Sequence, residues 1–130
     1  MRDILIVVFV LIAIFGGGIY TENYLKNSAD NISNKLEKLK QHTIIAKQTE
    51  NREQINKEID DIKKEWEDIS ELWSVIVVHQ DIDSIETALI KSKSNIENGE
   101  LEDALQEIET AKFFVKHVRE RERVSLKNIF

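Results

Sequence analysis

The residues with the greatest capacity for chemistry gather in one short stretch, His79-Gln80-Asp81-Ile82-Asp83-Ser84-Ile85-Glu86, with a further histidine at His117. Imidazole and carboxylate groups are the donor set of a divalent transition metal. His79, Asp83 and His117 are its weak candidate ligands here, should the turn that carries the first two meet a later helix. The same residues serve equally well as a hydrogen-bonded histidine at a helix corner beside capping aspartates, with Asp83 and Glu86 spaced for a capping box. No metal or other cofactor is therefore assigned. Nucleophilic catalysis has less support still. The chain has no cysteine, no Gly-x-Ser-x-Gly turn, no phosphate-cradling loop and no paired carboxylates in a recognisable setting, so it reads as a non-enzyme.

A second group of residues suits binding rather than catalysis. On a helical wheel Phe113 and His117 fall one turn apart and away from the apolar stripe of their helix, as an exposed aromatic paired with an imidazole. Between Lys112 and Lys127 stand six Lys or Arg against Glu120 and Glu122, in a chain of net charge −6. Basic residues in the last turns of a helix complement its macrodipole, and Arg119 and Arg121 have Glu120 and Glu122 within pairing distance. The alternative use is a basic face for anionic headgroups, cell-wall polyanions or an acidic partner. Phe113, His117, Arg119, Arg121, Ile129 and Phe130 are accordingly the candidate partner-binding residues. The aromatic pair would receive either the C-terminal tail, with Leu126, Ile129 and Phe130, or another protein. An acidic surface without a binding motif excludes nucleic acid as the expected partner.

The elements that must position these residues are helical throughout. The chain has no proline, and its only glycine after Gly18 is Gly99, so strand and turn punctuation is missing. Leu25, Ala29, Ile32, Leu36, Leu39, Thr43 and Ala46 alternate at spacings of four and three, a narrow, coiled-coil-like stripe. Lys47 to Gln54 contains no apolar residue and marks the first reversal. Ile55, Ile59, Ile62, Trp66, Ile69, Trp73 and Ile76 form the second stripe. Val75-Ile76-Val77-Val78 is apolar on every face and should be enclosed. The next set, Ile82, Ile85, Leu89 and Ile96, is out of phase, which predicts a kink or turn between His79 and Asp83. Asn98-Gly99 is a plain stop signal. Leu101, Ala104, Leu105, Ile108, Ala111, Val115 and Val118 form the last stripe, on a helix expected to end near Arg123.

Ahead of these stripes, Ile4 to Tyr20 carries no charge and spans roughly 25 Å as a helix, just under a hydrocarbon thickness of about 30 Å. Tyr20 and Tyr24 suit an interfacial belt, and Ala13 and Gly17 allow close helix packing. A cleaved signal peptide would begin in the same way, but no Ala-x-Ala site precedes a cut, and an uncleaved anchor is the expectation. Lysines after the span favour a cytoplasmic body by simple count. Lys26 is offset by Glu22 and Asp30, however, and a three-residue N-terminus is easily left behind, so the body is expected outside the cell membrane.

The expected protein is all-α: an N-terminal transmembrane helix followed by a small antiparallel bundle of three to four helices. Its organisation is an anchor over 1–21, an amphipathic continuation over 22–48, a helical bundle over 49–123 and a C-terminal tail over 124–130. Trp66 and Trp73 favour the compact bundle over an extended coiled coil, because two indoles overfill a two-stranded seam.

His79-Gln80-Asp81-Ile82-Asp83 and the ending Asn128-Ile129-Phe130 give the chain a resemblance to the domain-of-unknown-function 4363 family of Gram-positive, often spore-forming bacteria. Trp73, His79, Ile82, Asp83, His117, Asn128, Ile129 and Phe130 match its pattern, while Asp81 stands where glutamate is expected. The resemblance implies a single-span helical protein without assigned biochemistry, of a kind encoded beside a multipass membrane protein. The expected function is that of an accessory or scaffolding subunit of such a partner. A ligand- or metal-sensing bundle acting through a partner, a coiled-coil spacer of the cell envelope, and homodimerisation are the alternatives.

Overall fold

The computed structural model describes the backbone of residues 1–129 and the side chains as far as Glu122. Four helices follow one another, α1 (Arg2–Thr49), α2 (Glu53–Ile76), α3 (His79–Glu97) and α4 (Leu101–Ile129), with no strand among the described residues. Each packs on its neighbours in the chain, α4 closes on α1, and among the described residues no Cα atoms of a diagonal pair come within 8 Å. This is an up-and-down four-helix bundle, the arrangement that short links and one apolar stripe per helix require.

α1 is one helix of 48 residues, about 70 Å long. Its two parts meet different surroundings. From Met1 to Gly17 every residue is exposed, whereas Leu25, Ala29, Ile32, Leu36, Leu39, Thr43 and Ala46 are buried in the bundle. The whole stripe expected from spacing is therefore inside. The other helices contribute Ile55, Ile59, Ile62, Trp66, Ile69 and Trp73, then Ile82, Ile85, Leu89 and Ile96, then Ala104, Ile108, Ala111, Val115 and Val118.

Side-chain size sets the spacing. α4 approaches α1 and α3 closely, and α2 stands further from its neighbours. Ala104 and Ala111 on α4 meet helices that carry Ala29, Ala46, Ala88 and Ser92 inward, while α2 brings two tryptophans and four isoleucines. The indoles of Trp66 and Trp73 meet edge to face, 5.3 Å apart and at 82°. Trp73 Nε1 donates to Ser28 Oγ at 2.9 Å, and that hydroxyl donates to the Tyr24 carbonyl. Among the described residues Trp66 Nε1 is buried without a hydrogen-bond partner.

The three links use different chemistry. Glu50 takes the left-handed conformation at φ 58° and donates its N–H to Ala46 O, and Asn51 Oδ1 accepts from Glu53 N as α2 begins. α3 ends in a Schellman motif: Gly99 at φ 77° donates to Ile96 O, Glu100 donates to Asn95 O, and Arg52 Nη1 reaches across to the Ile96 and Glu97 carbonyls. A β-carbon at Gly99 would lie 2.9 Å from that Arg52 nitrogen, besides being strained by the positive φ.

The link between α2 and α3 corrects the sequence expectation. The turn is Val77-Val78, in extended conformation, and α3 starts at His79 instead of near Asp83. Two consecutive β-branched residues favour that extended geometry. Asp83 and Glu86 form no capping box, since the helix has begun four residues earlier and Val78 caps it without a side-chain bond. Val77 is buried and Ile76 partly so, but Val75 and Val78 are exposed, contrary to the expected enclosure.

α4 also departs from expectation, because its helix passes Arg123 and continues to Ile129. The segment expected as a tail over 124–130 has no glycine or proline to stop a helix. Its backbone consequently runs on along the α4 axis, away from Phe113 and His117. Phe130 and the Ile129 side chain lie outside the described residues.

Candidate functional site

The seam between α1 and α4 is built from charge as well as from the core stripe. Lys47 pairs with Glu102, Lys40 with Glu109 at 2.8 Å, Glu37 with Lys112, and Asp30 with Arg119 at 3.1 Å. Each step of seven or three residues down α1 is matched by the same step up α4. The sign reverses halfway, with lysines on α1 at one end and carboxylates at the other, so the pattern opposes a parallel or slipped pairing. Lys112 and, after it, Gln41 hydrogen-bond to the Glu37 carboxylate and hold it below its ordinary pKa. Hydrogen bonding to Glu109 raises Lys40, and Asp60 does the same for Lys93 between α2 and α3.

Ion pairs engage three of the four basic residues of the run whose side chains are described, Lys112, Arg119 and Arg121. Arg119 is bound to Asp30 and Glu120, and Arg121 to Asp81 of α3. Both are candidate contact residues from the sequence, and both are engaged within the chain. Asp81 is thereby turned toward α4, while His79 and Asp83 are exposed. Among the described residues no three His, Cys, Asp or Glu side chains come together as a metal site, so His79, Asp83 and His117 are not gathered into one.

The outer face of α4 is what remains available. Phe113 stacks on His117, with ring centroids 5.9 Å apart and planes 10° from parallel, and meets the half-buried Phe114 edge-on at 5.5 Å. Phe113 is 62% exposed. Helical spacing of four brings the two rings together, and Phe114 anchors the pair to the core. An exposed aromatic surface with one polar edge is suited to binding.

Two features escaped the sequence reading. His42 of α1 lies against Glu58 of α2 at 2.5 Å, next to Gln54; a lone histidine gives no hint of a partner sixteen residues away on another helix. An open cleft of ≈ 670 Å³ lies at the end of the bundle far from the apolar segment, among Lys47, Arg52, Glu100, Glu102 and Asp103. Its charges are of both signs, and no aromatic ring lines it.

The fold and the exposed faces define a class: a four-helix bundle whose first helix is prolonged by a segment long and apolar enough to cross a membrane, near the N-terminus. Within that class the family is known. The family model described as a domain of unknown function, DUF4363, matches residues 19–129, and the chain belongs to this family. No curated protein and no solved structure shows significant similarity to it.

Proposed function

We propose that this chain is a single-span membrane-anchored interaction module, an accessory or scaffolding subunit that engages a membrane protein and catalyses no reaction itself. The observation that carries the reading is the outer face of α4. Phe113 stands exposed and stacked on His117, while Lys112, Arg119 and Arg121 near it are occupied inside the chain. Rigid aromatic anchors of this kind dominate protein interfaces. Every residue of α1 from Ile4 to Gly17 is in the exposed class, as expected of a lipid-facing helix.

The body of the bundle lies outside the cytoplasmic membrane in this reading, and the partner is multipass, as the family resemblance implies. The spacer alternative has less support, because the α1 stripe is covered by α2 and α4 of the same chain and is not free to pair with a second copy. The sensor alternative is less favoured, because the distal cleft is open and of mixed charge, unlike an apolar chamber with convergent polar groups.

The test is photocrosslinking from position 113 in the full-length protein at native level, in membranes. The expected result is one discrete adduct with a membrane protein, absent when the crosslinker is moved to Ile90 on α3. Adducts confined to the chain itself, or none, would overturn the reading. Impermeant maleimide labelling of an Ile45→Cys variant in intact cells tests the side of the membrane, and labelling only after lysis would place the body in the cytoplasm.

A further inference from the structure

The ion pairs fix how high each part of the bundle stands along α1. From Asp30–Arg119, ten residues further along both antiparallel helices bring Tyr20 level with Ile129, so the α4 backbone descends to the end of the apolar segment. Gly18 and Thr21 are the first α1 residues to lose full exposure, in keeping with that register. The α2 side gives an independent measure. His42 faces Glu58, Lys35 faces Glu65 and Ser28 faces Trp73, a nearly constant antiparallel count. Continued, it sets Val75 close to the level of Lys26 and Val78 close to that of Asn23. The α2–α3 turn thus stands about 5–10 Å beyond Tyr20 along the helix axis.

That turn is the part of the bundle with unexplained apolar exposure. Val75 is 80% exposed, more than any other large hydrophobic residue after Tyr20 among the described residues, and Val78 and Leu72 are 56% and 50% exposed. Leu72 and Val75 share one face of the last turn of α2, and Val78 follows in the link. Tyr20 and Tyr24 stack beside the same level, with centroids 6.4 Å apart.

We infer that the Val75–Val78 tip is a second membrane contact, seated in the interfacial zone of the bilayer that the apolar part of α1 crosses. This rests on reading Ile4 to Tyr20 as a span. The headgroup layer adds roughly 5–7 Å beyond the hydrocarbon on each side of a bilayer, so a tip about 5–10 Å beyond the end of the span stands within that layer or at its outer edge. Tyrosines are at home in the same zone. The contact that Val75 and Val78 themselves make is apolar. It therefore persists at high salt, unlike attachment by a basic patch. Its consequence is mechanical. One span alone lets a bundle tilt and rotate, whereas a span plus the tip holds it upright and sets which way the Phe113–His117 face of α4 looks along the membrane.

The chain has no cysteine, so single labels report cleanly. Full-length protein at one copy per nanodisc, in phosphatidylcholine with phosphatidylglycerol, would carry a spin label at Val75→Cys, Val78→Cys, Ile12→Cys or Ile45→Cys, with collision rates to oxygen and to an aqueous nickel chelate as readout. Expected is at least an about threefold lower chelate accessibility at 75 and 78 than at 45, unchanged in high salt, with 12 the most protected. Labels at 75 and 78 as accessible as at 45, with 12 still protected, would overturn the tip contact and leave the span intact. An accessible label at 12 would overturn both. Protection at 75 and 78 that appears only with two or more copies per disc would assign the tip to self-association and overturn the inference.

Discussion

The two halves of α1 share one unbroken backbone and a similar supply of isoleucine and leucine, yet the first exposes every one of them and the second hides all but Ile44 and Ile45. The difference is arrangement. Before Tyr20 apolar residues occupy all faces, so no bundle of three partners can cover them; after Leu25 they recur at four and three, and α2 and α4 cover the stripe. Hydrophobic content attracts a helix out of water, but its angular distribution decides whether lipid or protein receives it. The α2–α3 tip is the intermediate case, apolar on a short arc and uncovered by the chain.

The largest expected effect comes from the same change made in both halves. Ile32→Ala, at a fully buried position, should cost about 2–5 kcal/mol in urea unfolding of the intact protein in detergent, while Ile12→Ala should stay within about 0.5 kcal/mol. Equal effects would mean that the apolar half packs against protein. A charge sharpens the contrast from the other side. Ile12→Asp should disfavour insertion by about 2.5–3.5 kcal/mol, read as loss of the protein from carbonate-washed membranes, without altering the bundle's unfolding midpoint.

Within the bundle the two tryptophans form a finer pair. Trp73→Phe breaks a hydrogen bond to Ser28, whereas Trp66→Phe removes a buried donor that has none, so the first should be the more destabilising by about 1 kcal/mol or more. Glu50→Gly should stabilise by up to about 1 kcal/mol, because Glu50 holds a left-handed φ of 58° that glycine adopts without strain.

The smallest effect is that of pH. Glu37 is lowered in the folded state, so its contribution is present above its ordinary value of 4.5 and fades as pH falls through the folded value. Lys40 and Lys93 are raised, so theirs is present below 10.5 and fades as pH rises beyond it. Glu37→Gln should flatten the acid limb and leave the alkaline one. All three sites are partly open to solvent, so the change in either limb is small.

Much of this was legible before the structure. The four stripes, the uncharged first segment and the Asn98-Gly99 stop are local signals, and each corresponds to an observed element or burial pattern. The link at Val77-Val78 was missed because a change of phase shows that a turn exists without dating it. Its position followed from two β-branched residues taking an extended backbone, and Asp81 was needed by Arg121 instead of by a cap. The continuation of α4 to Ile129 differs from the expected end near Arg123 and tail over 124–130, because nothing in the sequence there stops a helix. The charge ladder was present as matching spacings, Lys40 and Lys47 against Glu102 and Glu109, Asp30 and Glu37 against Lys112 and Arg119. It becomes readable only once α1 and α4 are known to be neighbours; spacing within the run alone offers pairing along one helix or a free basic face.

The most direct test of the two-solvent account of α1 is a cysteine scan from Ile4 to Thr49 in the full-length, otherwise cysteine-free protein in membranes, read by reaction with an impermeant maleimide. The account predicts uniform protection through Tyr20. Beyond it, reactivity should be periodic, with minima at Leu25, Ala29, Ile32, Leu36, Leu39, Thr43 and Ala46. Periodic or full reactivity between Ile4 and Tyr20 would contradict it.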